Sequence, residues 1–86
     1  MTITTKRTAS GRLTVRLDGY RMPIDELADC AIRQYRKAPY EPIDIINERG
    51  QTIRHTKHMH ACLDTFSVYY DAQELKAAIR RHAERR

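Results

Sequence analysis

Residues 12–38 read RLTVRLDGYRMPIDELADCAIRQYRKA, and this stretch decides the fold. In its first part Leu13, Val15 and Leu17 alternate with Arg12, Thr14, Arg16 and Asp18. Side chains on a strand point to opposite faces in turn, so this period of two predicts a half-buried strand. Asp18-Gly19 follows, the pair favoured where both central residues of a two-residue hairpin turn need positive φ. Tyr20 to Met22 then pairs back briefly. Pro23 fits the first turn of a helix, where its missing N–H costs nothing. From there Ile24, Leu27, Ala28, Ala31, Ile32 and Tyr35 recur on one stripe, with Asp25, Glu26, Asp29, Arg33, Arg36 and Lys37 opposite. Pro39 and Pro42 stop this helix at Ala38.

Working outward, Ile3 to Thr8 holds a single large apolar residue and reads as an edge strand or a frayed arm within residues 1–10. Ile43, Ile45 and Ile53 flank Asn47-Glu48-Arg49-Gly50, whose glycine closes a bulged hairpin. Phe66 to Tyr70 is aromatic and β-branched, which predicts a strand. Asp71 with Glu74 matches a helix cap, and Leu75, Ala78, Ile79 and His82 make the buried stripe of the helix behind it. The expected class is therefore α+β, ordered β-hairpin, helix, β-hairpin, strand, helix. Its sheet is antiparallel with four to five strands, and both helices pack on one face. Eighty-six residues predict one small domain, 1–86.

Composition narrows the function classes. Phe66 is the sole phenylalanine and there is no tryptophan, so the apolar core is thin and leaves little room for a deep substrate pocket. Covering an apolar face with a second copy would help such a core, which makes a homodimer a fair expectation. Two cysteines, Cys30 and Cys62, do not make a disulfide-stapled secreted scaffold; each reads as a small buried hydrophobe. The Thr-rich start lacks the apolar region of a signal peptide, and no apolar run has the length to cross a bilayer. The expectation is a cytoplasmic protein with no membrane partner.

Sixteen bases outweigh eleven acids for a net charge of +5, and twelve of the bases are arginine. They come in blocks. Residues 1–16 carry four bases and no acid, residues 17–29 one base and four acids, and residues 76–86 five bases and one acid. Acids early and bases late in each predicted helix complement the helix dipole, which accounts for much of the pattern. Two stretches remain after that account. Lys6, Arg7, Arg12 and Arg16 have no helix to stabilise, and Arg80, Arg81, Arg85 and Arg86 exceed what a dipole uses. These eight are the candidate site for an anionic partner, since the guanidinium fork matches carboxylate and phosphate. Tyr20, Tyr40, Tyr69 and Tyr70 are available beside them if exposed, whereas Tyr35 belongs to the core.

No Gly-rich phosphate loop, Cys-x-x-Cys pair or nucleophile–base pair is present, and neither RRM, KH nor helix-turn-helix signatures appear. His58, His60 and Cys62 lie at alternate positions and would share a strand face, with His55, Cys30, Asp64 or His82 as a fourth ligand. Structural zinc sites use more regular spacings, so no metal or cofactor is expected. A ribonuclease would use His58 or His60 with Arg54 and Tyr69, but no signature supports that set. The expected function is a non-catalytic binding module that regulates or inhibits a nucleic-acid-handling complex, the role of phage and mobile-element inhibitors of the anti-CRISPR type. No motif ties the chain to such a family. Its expected partner is an acidic protein surface or nucleoprotein complex; the alternative is direct nucleic-acid binding through the Arg-rich surface. Native mass spectrometry with a zinc-release dye assay tests the His58–Cys62 motif, and the expected result is no bound zinc.

Overall fold

The fold is seen in a computed structural model that describes residues 1–38, 41–55, 66–67 and 71–84. In chain order the elements are β1 (Thr2–Arg7), β2 (Leu13–Leu17), β3 (Tyr20–Met22), α1 (Ile24–Lys37), β4 (Ile43–Ile46), β5 (Thr52–His55), β6 (Phe66–Ser67) and α2 (Ala72–Ala83). Asp18 and Gly19 have φ of 50° and 89°, both in the left-handed region, as a turn of type I′ requires. That turn fixes the register of β2 and β3: Leu17 faces Tyr20, Arg16 faces Arg21, and Val15 faces Met22. The Asp18 carboxylate also accepts from the Thr2 N–H at 2.8 Å, which fastens the turn to β1.

The six strands form one sheet in the order β3-β2-β1-β4-β5-β6. It is mixed, which corrects the expectation of an antiparallel sheet with four to five strands. β1 runs parallel to β4, and β5 runs parallel to β6. For β1 and β4 the physical reason is α1, a crossover that returns the chain beside β1 in the same direction, as parallel neighbours require. Residues 2–7 are likewise neither a frayed arm nor an edge strand. β1 is bonded to β2 on one side and β4 on the other. In this central strand Thr5, 5% exposed, donates its hydroxyl to the Ile46 carbonyl at 3.3 Å. The burial cost of that hydroxyl is thereby offset.

Register sorts the sheet into two faces. Leu17, Ile3, Ile45 and Ile53 lie in one row across four strands. Ile3, Val15, Leu17, Ile43 and Ile45 join Leu27, Ala31 and Ile32 of α1 and Leu75, Ala78 and Ile79 of α2 in the core. Each large aliphatic side chain buried there contributes about 2 kcal/mol. Both helices thus cover the same face. α1 begins one residue later than the sequence suggests, with Pro23 outside it at ψ 146°, and it ends at Ala38 as expected. Asp71 caps α2 by accepting from the Glu74 N–H at 2.9 Å. The expected strand Phe66–Tyr70 is seen at Phe66–Ser67, and residues 68–70 lie outside the described residues.

A polar clamp joins the β4–β5 turn to the end of α2. Asn47 is 5% exposed, and its Oδ1 accepts from the N–H groups of Arg49 and Gln51, each at 3.0 Å. Its Nδ2 donates to Gln51 Oε1 at 2.8 Å and to the His82 carbonyl at 3.1 Å. His82, 2% exposed, places Nε2 2.6 Å from the Gln51 carbonyl and so donates its ring proton there. Asn47 therefore uses its whole amide. Asn47→Ala should destabilise the domain by about 2 kcal/mol, because four hydrogen bonds, the buried one to the His82 carbonyl among them, are lost together. Urea denaturation checks this; a loss under about 0.5 kcal/mol would show that the clamp is not structural.

Candidate functional site

The face of the sheet opposite the helices carries the alternate residues of β1 to β5. By register its side chains run Arg21, Arg16, Thr4, Ile46 and Thr52 in one row. Lys6 beside Thr14 forms a second row, and Thr2, Asp44 and Arg54 a third. Lys6, Arg16, Arg21 and Arg54 are exposed. Thr14 donates its hydroxyl to the Lys6 carbonyl at 3.0 Å, and Arg16 Nη1 donates to the Gly19 carbonyl at 3.2 Å. A shallow depression of about 300 Å³ lies between Lys6, Arg16, Thr4, Thr14 and Glu48. Its charge is mixed, because Glu48 stands at the rim and accepts from the Arg7 N–H.

Arg54 is committed elsewhere on this face. Its Nε and Nη2 donate to the two carboxylate oxygens of Asp44 at 2.9 and 3.2 Å, a bidentate fork. The Asp44 carboxylate raises the Arg54 pKa above its ordinary value, chiefly through that hydrogen bond and then through its charge. Arg54 is thus a paired structural cation. The other residues of the ribonuclease set, His58, His60 and Tyr69, lie outside the described residues, as does Cys62.

The eight basic residues singled out in the sequence do not form one patch. Lys6 and Arg16 share the open face. Arg12 and Arg80 meet at a cleft of about 640 Å³ beside β2, β3 and α2. Arg7, at the end of β1, donates to the Gly11 carbonyl at 3.0 Å and pairs with Glu84 at 3.4 Å, so it fastens the first turn to the end of α2. Arg81 is exposed on α2 away from these groups, and Arg85 and Arg86 lie outside the described residues. Of the tyrosines, Tyr20 is 75% exposed at the sheet edge and Tyr35 is buried; Tyr40, Tyr69 and Tyr70 are not among the described residues.

Two functional candidates escaped the sequence reading. Arg21 is the lone base of an acidic block, yet β3 places it opposite Arg16, and it also lines the cleft with Arg12 and Arg80. The Asp18-Gly19 turn was the signal that could have found it, since a two-residue hairpin puts residues 16 and 21 opposite each other. Glu48 carried no comparable signal. Among the described residues no cluster of His, Cys, Asp and Glu has metal-site geometry. Cys30 is a free thiol, partly buried against the core and 3.7 Å from Gln34 Nε2. No helix of the described residues is long and apolar enough to cross a membrane.

The helix charges also differ from a pure dipole account. Lys76 of α2 donates to the Asp25 carboxylate at the start of α1, tying the two helices together. Arg33 reaches the Asp29 backbone carbonyl at 3.4 Å.

Neither a protein-family model, a curated protein nor a solved structure matches the chain.

The hydrogen bond from Lys76, then its charge, hold the Asp25 pKa below the ordinary 3.8, against some desolvation and with help from Arg80. A depressed folded-state pKa stabilises the fold above the unfolded value, and that contribution fades as pH falls through the folded one. Carbon-detected NMR should place the Asp25 midpoint below 3.8, and Lys76→Met should raise it. An unchanged midpoint in the variant would mean that the inter-helix bond is absent in solution.

Proposed function

We propose that this protein is a non-catalytic binding module whose open sheet face docks on an acidic protein surface. The observation that carries this reading is the pairing of Arg16 with Arg21 on adjacent strands. Like charges directly opposite each other in an antiparallel pair destabilise a sheet, so the pair is better accounted for by an anionic partner than by the fold. Lys6 extends the charge one strand further, and Thr4 and Thr14 supply hydroxyls between the cations. Among the described residues, neither Lys6, Arg16 nor Arg21 forms an ion pair.

A protein surface fits better than a bare phosphate backbone. Glu48 stands beside the same face, and a line of phosphates would meet it as a like charge. A protein interface of mixed sign can place its own bases there, and such complementarity sets register and partner choice. Arginine recognises carboxylate and phosphate by the same fork. A nucleic-acid-handling complex offers both kinds of anion, and regulation or inhibition of such a complex is the role this face suits. Inhibitors of the anti-CRISPR type are one form that role takes.

An affinity pull-down from host lysate, run with and without nuclease, tests the proposal. Prey should persist after nuclease and be lost when Lys6→Gln and Arg16→Gln are combined, two exposed changes that leave the fold intact. Prey that disappears with nuclease would transfer the function to direct nucleic-acid binding, as would a steep log–log fall of affinity with salt for an oligonucleotide.

A further inference from the structure

Arg12, Arg21 and Arg80 come from three separate elements: the chain just before β2, the strand β3 and the helix α2. They stand around one cleft of about 640 Å³, a volume within the range of pockets that seat small ligands and peptide side chains. Leu13, Met22 and Ile24 also line it, partly buried against the core and partly open. No acid lines the cleft among the described residues. Asp25 lies near enough for Arg80 to lower its pKa, but its carboxylate is already bonded by Lys76. The cleft therefore joins three arginines to a half-buried aliphatic floor.

We propose that this cleft seats an acidic peptide segment in which a carboxylate lies beside a large aliphatic side chain. Charge complementarity selects the carboxylate, which a guanidinium fork can hold through two parallel hydrogen bonds. The floor selects the neighbour: an aliphatic side chain on Leu13, Met22 and Ile24 removes apolar surface from water on both partners. A nucleic-acid backbone satisfies the first requirement and not the second, since the floor offers aliphatic groups in place of an aromatic stacking platform. This site goes beyond the open-face reading: it shares Arg21 with that face but uses neither Lys6 nor Arg16, and adds Arg12 and Arg80.

Fluorescence anisotropy of the full chain with a fluorescein-labelled peptide of alternating aspartate and leucine tests it. The peptide should bind, and combining Arg12→Gln with Arg80→Gln should weaken it at least about tenfold, as removal of a charge partner does. Serine in place of the leucines should cost about tenfold, and asparagine in place of the aspartates should abolish binding. Combining Lys6→Gln with Arg16→Gln should leave the affinity within about threefold, so this proposal and the open-face reading fail separately. Circular dichroism checks that each variant is folded. No binding at millimolar peptide would overturn the assignment, as would unchanged binding by the Arg12/Arg80 variant. Tighter, Arg12- and Arg80-dependent binding of an oligo-dT probe would give the cleft to nucleic acid instead.

Discussion

The hydrogen-bond ladders on the two sides of β1 hold this protein together. On one side β1 pairs antiparallel with β2, an arrangement that the short turn at residues 8–11 makes local. On the other it pairs parallel with β4, which the chain reaches after β2, β3 and α1. The first half of the chain and the second meet along this strand. Ile3 is fully buried at the junction, facing Leu17 on one neighbour and Ile45 on the other. Without β1 the β2–β3–α1 unit and the β4–β5–α2 unit would each expose an unpaired edge and half of a common core.

The same arrangement decides where chemistry can occur. Alternate residues on five strands serve the helix-covered core, so the residues between them are committed to the opposite face. Polar residues there need no individual structural role, and a set of Thr, Lys and Arg side chains can accumulate. The arginines nevertheless serve different ends. Arg54 is held by a fork to Asp44, Arg7 ties a turn to Glu84, and Arg16 and Arg21 stand opposite each other with no acid between them. Formal charge therefore says less about a partner than the pairing of each cation does.

What was legible in the sequence was local. The Asp18-Gly19 turn, both helical stripes and the Asp71 cap depend on residues a few positions apart, and periodicity reports such interactions directly. The place of β1 depends on β4, about forty residues away, and Ile3-Thr4-Thr5 carries little apolar pattern to announce it. Thr5 is the clearest instance. A threonine reads as exposed unless the carbonyl that accepts its hydroxyl is known, and here that carbonyl belongs to Ile46. For the same reason the basic residues appeared as two stretches, one at each end of the chain. Folding separates Arg12 from Arg16, joins Arg12 to Arg80, and adds Arg21 from an otherwise acidic block.

β3 has a consequence for how copies of this protein meet one another. It is a sheet edge of three residues, set between the Asp18-Gly19 turn and Pro23. Next to a two-residue turn, Tyr20 and Met22 direct their backbone groups inward to β2 and Arg21 directs its own outward. The edge therefore offers one N–H and one C=O, with a cation on the residue that bears them and a proline soon after. Two copies aligning along this edge would bring their Arg21 side chains together and find little ladder to gain. Short, charged edges of this kind resist strand-to-strand aggregation. The positive charge that suits an acidic partner thus also discourages the sheet from extending into another copy at its β3 edge.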